Sequence, residues 1–182
     1  RIQAHLIARH YRRPTHVIPN VITPVARPDA DHGPRLIYVG RLDDQQKNVS
    51  GAIALLDHPD NPFGTLHVFG DGPDRALVEA HAANARHITV HCHGWIARDC
   101  LPAVLGRGDV LVMNSRWEGE PMIVRELAAA GIPAVAPDIP GFRGLLQRRS
   151  RFNDQQSLLT LLKRLHAERT TDQVRHAEGS SH

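Results

Sequence analysis

Five short apolar segments recur along the chain, and each is followed by a segment whose apolar residues repeat at helical spacing. Segments such as Leu-Ile-Tyr-Val and Val-Leu-Val-Met are apolar at nearly every position, which is typical of parallel strands buried on both faces. Strands that alternate with helices form a parallel sheet covered by those helices. The pattern therefore predicts an α/β domain, a Rossmann-like parallel sheet with helices on both faces. The predicted strands are Arg35–Val39, Thr65–Phe69, 87–91, 109–113 and 133–136.

The helical segments and the linker between them predict the domain organisation. Helices are expected at residues 1–12, 48–56, 73–85, 98–105, 121–130 and 154–168. Asn48 is a favourable N-cap residue for the second of these. A stretch rich in Pro and Asp precedes the first strand, so we interpret residues 1–34 as the end of a preceding domain and an interdomain linker. Residues 35–170 then form the domain, and residues 171–182 a flexible tail.

The composition excludes several classes of function. The formal net charge is +3, the basic residues look scattered, and aromatic residues make up 4% of the chain, so no nucleic-acid partner is expected. The longest apolar stretches are far too short to cross a membrane, and we expect no transmembrane segment. Cys92 and Cys100 are too few for a disulfide framework, which favours a reduced, cytoplasmic location.

The loop after the first strand carries two cations. Gly40 leaves room for a ligand, Arg41 can form a bidentate contact with a phosphate, and Lys47 adds a compact charge six positions later. Ligands of such sheets bind at the carboxyl ends of the strands, where this loop is expected. A diphosphate would suit the two cations, although a solvated surface loop would have the same composition.

The loop after the fourth strand is the most informative. Pro121 begins a helix that has no capping residue directly before it, so the N–H groups of Met122, Ile123 and Val124 are expected to be open to an anion. Glu118 and Glu126 are expected to face the same crevice, where carboxylates suit the hydroxyl groups of a sugar. The alternative is that the acidic residues before the helix only complement its dipole.

Two other signals are given less weight. His91 and His93 lie on one face of a strand and could form half of a zinc site, but no second ligand pair follows at suitable spacing. Asp29 and Asp31 have the spacing of a metal-binding Asp-x-Asp motif but lie in the predicted linker. We interpret both as ordinary structural features.

Four motifs resemble, in the same order, those of the family-four glycosyltransferases, which have the two-domain GT-B fold. EGEPMIVRE, followed by LAAAGIPAVAPDIPG, resembles the family's Glu-x7-Glu signature, and YVGRLDDQQKN resembles its phosphate loop. VFGDGP resembles the turn after the second strand, and His93-Gly94-Trp95 the turn where that family seats the base. VIPNVI, before them, resembles the interdomain linker.

The resemblance implies that this chain is the C-terminal, donor-binding half of a retaining GT-B glycosyltransferase. Its ligand would be a nucleoside-diphosphate sugar, with no metal or other cofactor required. The residues implied in catalysis are Arg41 and Lys47, on the diphosphate, and Glu118, near the transferred sugar. The amides of Met122, Ile123 and Val124 after Pro121 would contact the sugar or phosphate, Glu126 the ribose hydroxyls, and the backbone around Trp95 and Ile96 the base.

The same resemblance does not identify the acceptor or the location of the full-length enzyme. It implies a hexosyltransferase of polysaccharide biosynthesis whose acceptor, a glycan, a lipid or a small molecule, binds to an N-terminal domain that this chain lacks. We therefore expect the chain alone to be inactive. The full-length protein is expected in the cytoplasm, and peripheral attachment to the inner face of the membrane stays open. Two alternatives remain, an enzyme like the sugar-nucleotide epimerases of the GT-B class and a non-catalytic donor-binding module that needs a partner chain.

The sequence departs from the family pattern at three places, and the departure at Glu120 concerns the identity of the donor sugar. Asn20-Val21 replaces the usual Asn-Gly of the linker, Glu120 occupies a position that is more often apolar, and Pro140-Gly141 replaces a usual Gly-Gly. The base, the sugar and the acceptor are not predicted.

Overall fold

The computed structural model describes residue 10, residues 20–22 and residues 25–179. The helix expected at residues 1–12 lies outside these residues, except for residue 10. No helix within the described part of the chain is long and apolar enough to span a membrane.

The described residues contain one sheet of six parallel strands in the order β3-β2-β1-β4-β5-β6. The strand order reverses between β1 and β4, where sheets of this kind open a ligand-binding crevice. The strands are β1 (Arg35–Val39), β2 (Thr65–Phe69), β3 (Thr89–Gly94), β4 (Asp109–Val112), β5 (Ala134–Pro137) and β6 (Arg151–Phe152). The predicted Rossmann-like α/β fold is confirmed.

The described residues contain seven α-helices, of which six lie between strands and the last follows β6. They are α1 (Asp44–Lys47), α2 (Val49–Leu56), α3 (Arg75–Asn84), α4 (Leu101–Val104), α5 (Met122–Ala129), α6 (Pro140–Arg143) and α7 (Gln155–Gly179). The sequence did not predict α1, α6 or the two-residue strand β6, because elements this short have no periodicity to detect. The last helix runs past its predicted end at residue 168.

The cap of α2 differs from the sequence expectation. Asn48 precedes the helix as expected, but it adopts a left-handed conformation with φ 51°, and its side chain makes no capping hydrogen bond. The carboxylate of Asp44 caps the helix instead, accepting from the backbone N–H of Ser50 at 2.8 Å and from its hydroxyl at 2.6 Å. The one-turn helix α1 brings Asp44 to this position, which spacing alone did not indicate.

The third strand begins and ends later than predicted. Pairing with β2 aligns Thr65 with Thr89 and Phe69 with Gly94, with a register shift before Phe69. His93 and Gly94 are therefore strand residues, and the loop that follows begins at Trp95. Strand β1 is tied to β4 by an ion pair between Arg35 and the fully buried Asp109, with 2.6 Å between Nε and Oδ1.

Candidate functional site

A cleft of about 450 Å³ opens where β1, β2 and β3 end, beside helix α5. It contains six of the residues predicted from the sequence, Gly40, Arg41, Trp95, Ile96, Ile123 and Glu126. Its other lining residues are Val39, Phe69, Gly70, Asp71, Arg98 and Leu101. The remaining predicted residues do not line it, namely Lys47, Glu118, Pro121, Met122 and Val124.

The floor of the cleft is built from backbone in close contact. The N–H of Gly40 donates to the carbonyl of Phe69 at 3.0 Å, and the N–H of Gly70 donates to the carbonyl of Gly94 at 2.8 Å. A Cβ at Gly70 would lie only 1.8 Å from the carbonyl oxygen of Gly40. Any side chain at position 70 would therefore push the first two strand ends apart, so the shape of the cleft depends on this glycine.

Glu126 contributes a buried carboxylate to the cleft. The residue is 3% exposed, and Nη2 of Arg98 lies 2.7 Å from its Oε1. Arg98 and Glu126 therefore form an ion pair without a well-aligned hydrogen bond, because Oε1 accepts no hydrogen bond of good geometry from the described residues. A buried carboxylate oxygen that lacks a well-aligned hydrogen bond can accept one from a ligand hydroxyl. Sequence reasoning missed Arg98, although it is the one basic residue in the short loop after β3.

Arg41 lies at the cleft with its side chain exposed. Its backbone carbonyl accepts a hydrogen bond of 2.8 Å from the hydroxyl of Tyr38, which holds the loop in place. Burial, and secondarily the charge of Glu118, raises the pKa of Tyr38 above its ordinary value, so the phenol is a neutral donor over the whole physiological range. The guanidinium of Arg41 has no hydrogen bond or ion pair within the described residues.

Lys47 and Glu118 form a pair beside the cleft. Nζ of Lys47 lies 2.6 Å from Oε1 of Glu118, and the hydroxyl of Ser115 donates to the same oxygen at 2.7 Å. Only 19% of the Lys47 side chain and 5% of the Glu118 side chain are exposed. The two residues were predicted to contact different parts of a ligand, and the structure instead brings them into contact with each other.

The loop from β4 to α5 is fastened to α1, and this places the pair. The backbone N–H of Arg116 donates to the carbonyl of Gln46 at 2.8 Å, and its guanidinium donates to the carbonyls of Asp44 and Gln45 and to the side chain of Asn48. The amide of Gln46 returns a bond of 3.3 Å to the carbonyl of Trp117. The loops that bear Lys47 and Glu118 therefore form one unit.

The N-terminus of α5 is less open than predicted. The N–H of Val124 donates to the carbonyl of Pro121 at 3.1 Å, in the tightened first turn that helices often adopt. Val124 is also buried, so its amide was wrongly expected to be open to an anion. No side chain of the described residues caps this end, and the amides of Met122 and Ile123 are the ones left at the first turn.

Glu120 makes polar contacts with other residues of the chain. Its carboxylate forms an ion pair with Arg125 and accepts a hydrogen bond of 2.8 Å from the amide of Asn20. Asn20 belongs to the predicted linker, so Glu120 joins that segment to the loop before α5.

His67 on β2 and His91 and His93 on β3 form a cluster on one side of the sheet, where His67 is half-buried and the other two are exposed. His67 and His93 share a hydrogen bond of 2.9 Å between Nδ1 and Nε2, and the ring of His91 lies 4.8 Å from that of His67. No group of three or more potential metal ligands within the described residues is arranged to hold a metal ion.

Both tryptophans of the chain lie exposed at this edge of the sheet. Trp95, which lines the cleft, is 74% exposed, and Trp117, which precedes Glu118, is 50% exposed. Trp95 can therefore contact a ligand that enters the cleft.

Comparisons with known proteins agree with this geometry. Residues 33–167 match the family described as Glycosyl transferases group 1. The chain is 34% identical over 133 residues to glycogen synthase of Mycobacterium tuberculosis, a match that covers 69% of this chain and 32% of that protein. It spans about a third, or less, of the length of the curated relatives that it matches.

Two solved structures share the fold. The lipopolysaccharide outer core galactosyltransferase WaaB has a TM-score of 0.62 at 24% identity, with 83% of this chain and 44% of that chain covered. TarM of S. aureus, in a complex that includes UDP, has a TM-score of 0.70 at 17% identity, with 94% of this chain and 38% of that chain covered. Both are GT-B proteins, and the fold described above is the Rossmann-like half of that architecture. With most of its length matched by the family, this chain belongs to the glycosyl transferases group 1 family.

Proposed function

We propose that the cleft binds the nucleoside-diphosphate part of a sugar donor, and that the sugar is transferred with retention to an acceptor held by a further domain. The observation that carries the proposal is the buried carboxylate of Glu126, which lines the cleft and whose Oε1, beside Arg98, accepts no hydrogen bond of good geometry from the described residues. In this position it would accept hydrogen bonds from the ribose hydroxyls, while the backbone at Trp95 and Ile96 holds the base.

Charge at the edge of the cleft supports a diphosphate. Arg41 and Arg98 both line it, and the amides of Met122 and Ile123 begin helix α5 nearby. When the bond between the anomeric carbon and the diphosphate oxygen breaks, the electron pair goes to the diphosphate, whose charge these groups would stabilise. A metal ion is not needed for that step in our proposal.

The Lys47–Glu118 pair would stand beside the sugar. In our proposal Lys47, six positions after Arg41, contacts a phosphate of the donor, and Glu118 is then released toward a sugar hydroxyl. The acceptor hydroxyl forms the new bond to the anomeric carbon, and its proton goes to the departing diphosphate. In our proposal the acceptor groups lie outside this chain, so that the chain binds the donor without transferring its sugar.

The relatives support a sugar-nucleotide ligand. One curated relative is named a glycogen synthase, and one structural neighbour was solved with UDP. From these two relatives we propose only the class of ligand for this chain, a hexose carried by a nucleoside diphosphate.

Titration in the presence of a chelator tests the proposal. Trp117→Phe leaves Trp95 as the one tryptophan of the chain, and its fluorescence should change when a ribonucleoside diphosphate fills the cleft. We expect saturable binding of at least one of UDP, GDP and ADP without metal, and weaker binding of the matching nucleoside. If none of the three changes the fluorescence or raises the Tm, the cleft is not a donor site.

A further inference from the structure

Two histidines on neighbouring strands face each other outside the cleft. Nδ1 of His67, on β2, and Nε2 of His93, on β3, share the hydrogen bond of 2.9 Å, and their rings are nearly parallel with centroids 5.1 Å apart. In the sequence, the pair formed by His91 and His93 lacked a second ligand pair at suitable spacing. The structure instead brings a histidine to His93 from the adjacent strand, 26 positions away in the chain.

Both rings of this pair are in the form that binds metals. Burial is the main cause that lowers the pKa of His67 and of His93 below the ordinary value. The two imidazoles are therefore largely neutral at pH 7, and the neutral imidazole is the metal ligand. The groups whose charge acts on His67 are all basic, namely Arg35, His91, His93 and His32. The permanent charge among them, on Arg35, is balanced by Asp109 at 2.6 Å.

The separation of the two facing nitrogens suits a single cation. With metal–imidazole bonds of about 2.0–2.1 Å, two nitrogens on one cation are about 2.9 Å apart at a right angle and about 3.3 Å apart at a tetrahedral angle. The observed 2.9 Å lies at the short end of this range. The rings point at each other in the hydrogen bond, so both have to turn toward the solvent to reach a common cation. His93 is exposed and His67 is half-buried, which leaves this side of the pair accessible.

We infer that His67 and His93 together bind a transition-metal cation of the class of Zn²⁺ and Ni²⁺. Imidazole is a preferred ligand of these cations, whereas Mg²⁺ and Ca²⁺ prefer oxygen ligands. The protein supplies two nitrogens, and water fills the remaining positions around the cation. The two histidines do not line the cleft, so the inference does not rest on the proposed function.

A cation at this place would cross-link the edge of the sheet. Strand β3 is the outermost strand of the described sheet, and within the described residues β2 is the one strand that it pairs with. Each of the two ligands belongs to a different strand, so the cation would add a bond between the edge strand and its neighbour.

The test compares two double variants that each remove two histidines. His67→Phe/His93→Phe retains an aromatic ring at both positions but removes the proposed ligands. His81→Phe/His87→Phe removes two exposed histidines elsewhere and is the matched control. The unaltered chain and both variants are titrated with Ni²⁺, Zn²⁺ and Mg²⁺ by calorimetry at neutral pH, with a reductant that does not bind metals and without nucleotide. The two variants keep the same number of histidines and both cysteines, so unspecific binding is matched.

We expect the unaltered chain to bind Ni²⁺ and Zn²⁺ and not Mg²⁺. Loss of a residue that only supports a metal ligand costs about 10–100-fold in affinity, so the loss of both ligands should weaken binding at least about tenfold. The control variant should lose less than about twofold. Thermal unfolding of both variants shows whether they are folded.

A second measurement uses the unaltered chain and holds even where the ligand variant does not fold. Ni²⁺ is paramagnetic, so it should broaden the imidazole NMR signals of His67 and His93 at lower concentrations than those of His81 and His87. Equal losses of affinity in the two double variants, or equal binding of Mg²⁺, would overturn the inference. Broadening that begins at a histidine outside the cluster of His67, His91 and His93 would overturn it as well.

Discussion

The ammonium nitrogen of Lys47 lies 2.6 Å from a carboxylate oxygen of Glu118, although 71 positions separate the two residues in the chain. Their contact fastens the loop after β1 to the loop after β4, across the point where the strand order reverses. A diphosphate that reached Lys47 would share this cation with Glu118. Ligand binding and the stability of the fold are therefore expected to be coupled at this pair.

Breaking the pair should destabilise the fold. Lys47→Met leaves a largely buried carboxylate without its cation and should lower the free energy of unfolding by about 1–3 kcal/mol in urea denaturation. Adding Glu118→Gln should recover part of the loss, with a coupling energy of about 0.5–3 kcal/mol. Lys163→Met is the matched control, because its pair with Asp60 is more than half exposed and is worth roughly 0–1 kcal/mol. Purely additive effects at Lys47 and Glu118 would contradict this coupling.

Arg41 should act on the phosphates alone. Its guanidinium has no partner among the described residues, so Arg41→Ala should leave the Tm unchanged while weakening nucleoside-diphosphate binding by about 1.5–3 kcal/mol. Arg41→Lys should not restore binding, since an ammonium lacks the planar, bidentate geometry. Removing Lys47 as well should bring the loss to roughly 3–6 kcal/mol. Titration with the unphosphorylated nucleoside is the control, and an equal loss there would place Arg41 outside the phosphate site.

Glu126 should distinguish ribose from deoxyribose. Glu126→Gln should weaken binding of the ribonucleoside diphosphate by about 1.5–3 kcal/mol, the range for hydrogen bonds to a charged group. The 2′-deoxy ligand, with one hydroxyl fewer, should lose less. Glu79→Gln, on the exposed surface of α3, serves as the control. Identical affinities of the Glu126 variant and the parent for both ligands would show that this carboxylate does not contact the ribose.

The glycine at position 70 should tolerate no side chain. Gly70→Ala places a Cβ 1.8 Å from the carbonyl of Gly40 and should cost about 1–3 kcal/mol of stability, with a further loss of nucleotide binding as the cleft deforms. Gly64→Ala, where a Cβ meets nothing within 4 Å, should change neither property. Thermal unfolding and nucleotide titration of both variants check this, and a Gly70 variant that behaves like the Gly64 variant would refute the close approach.

Low pH should destabilise the folded protein through His67. Burial, with Arg35, His91, His93 and His32 adding to it, lowers the pKa of His67 from 6.5 to about 4. Between these two pKa values the unfolded chain binds more protons than the folded chain. The free energy of unfolding is therefore highest, as far as His67 is concerned, above pH 6.5, and it decreases as the pH falls toward 4. The Tm of His67→Phe should fall less over that range than the Tm of the parent. The exposed His87→Phe should behave like the parent, and an unchanged pH profile in His67→Phe would exclude this residue as the cause.

The positions of the main strands could be predicted from the sequence because they depend on local patterns. Arg35–Val39 and Thr65–Phe69 have the bounds that their apolar runs and closing glycines indicate. The third strand was placed too early, since its bounds follow from pairing with β2 and from a register shift that local sequence does not record. The short elements α1, α6 and β6 likewise depend on contacts between distant segments.

For the candidate functional site, too, some features follow from local sequence and others only from the tertiary structure. The sequence by itself determined which loops carry cations and carboxylates, because the order of strands and helices places those loops at one edge of a parallel sheet. Only the tertiary structure decided how the side chains are partnered. It placed Glu126 opposite Arg98 in the cleft and Glu118 against Lys47 outside it, and it brought Arg143 and Arg151 to the carboxylate of Asp138. Such pairings depend on ångström-scale distances between residues that are far apart in the chain, and residue types and spacings do not contain those distances.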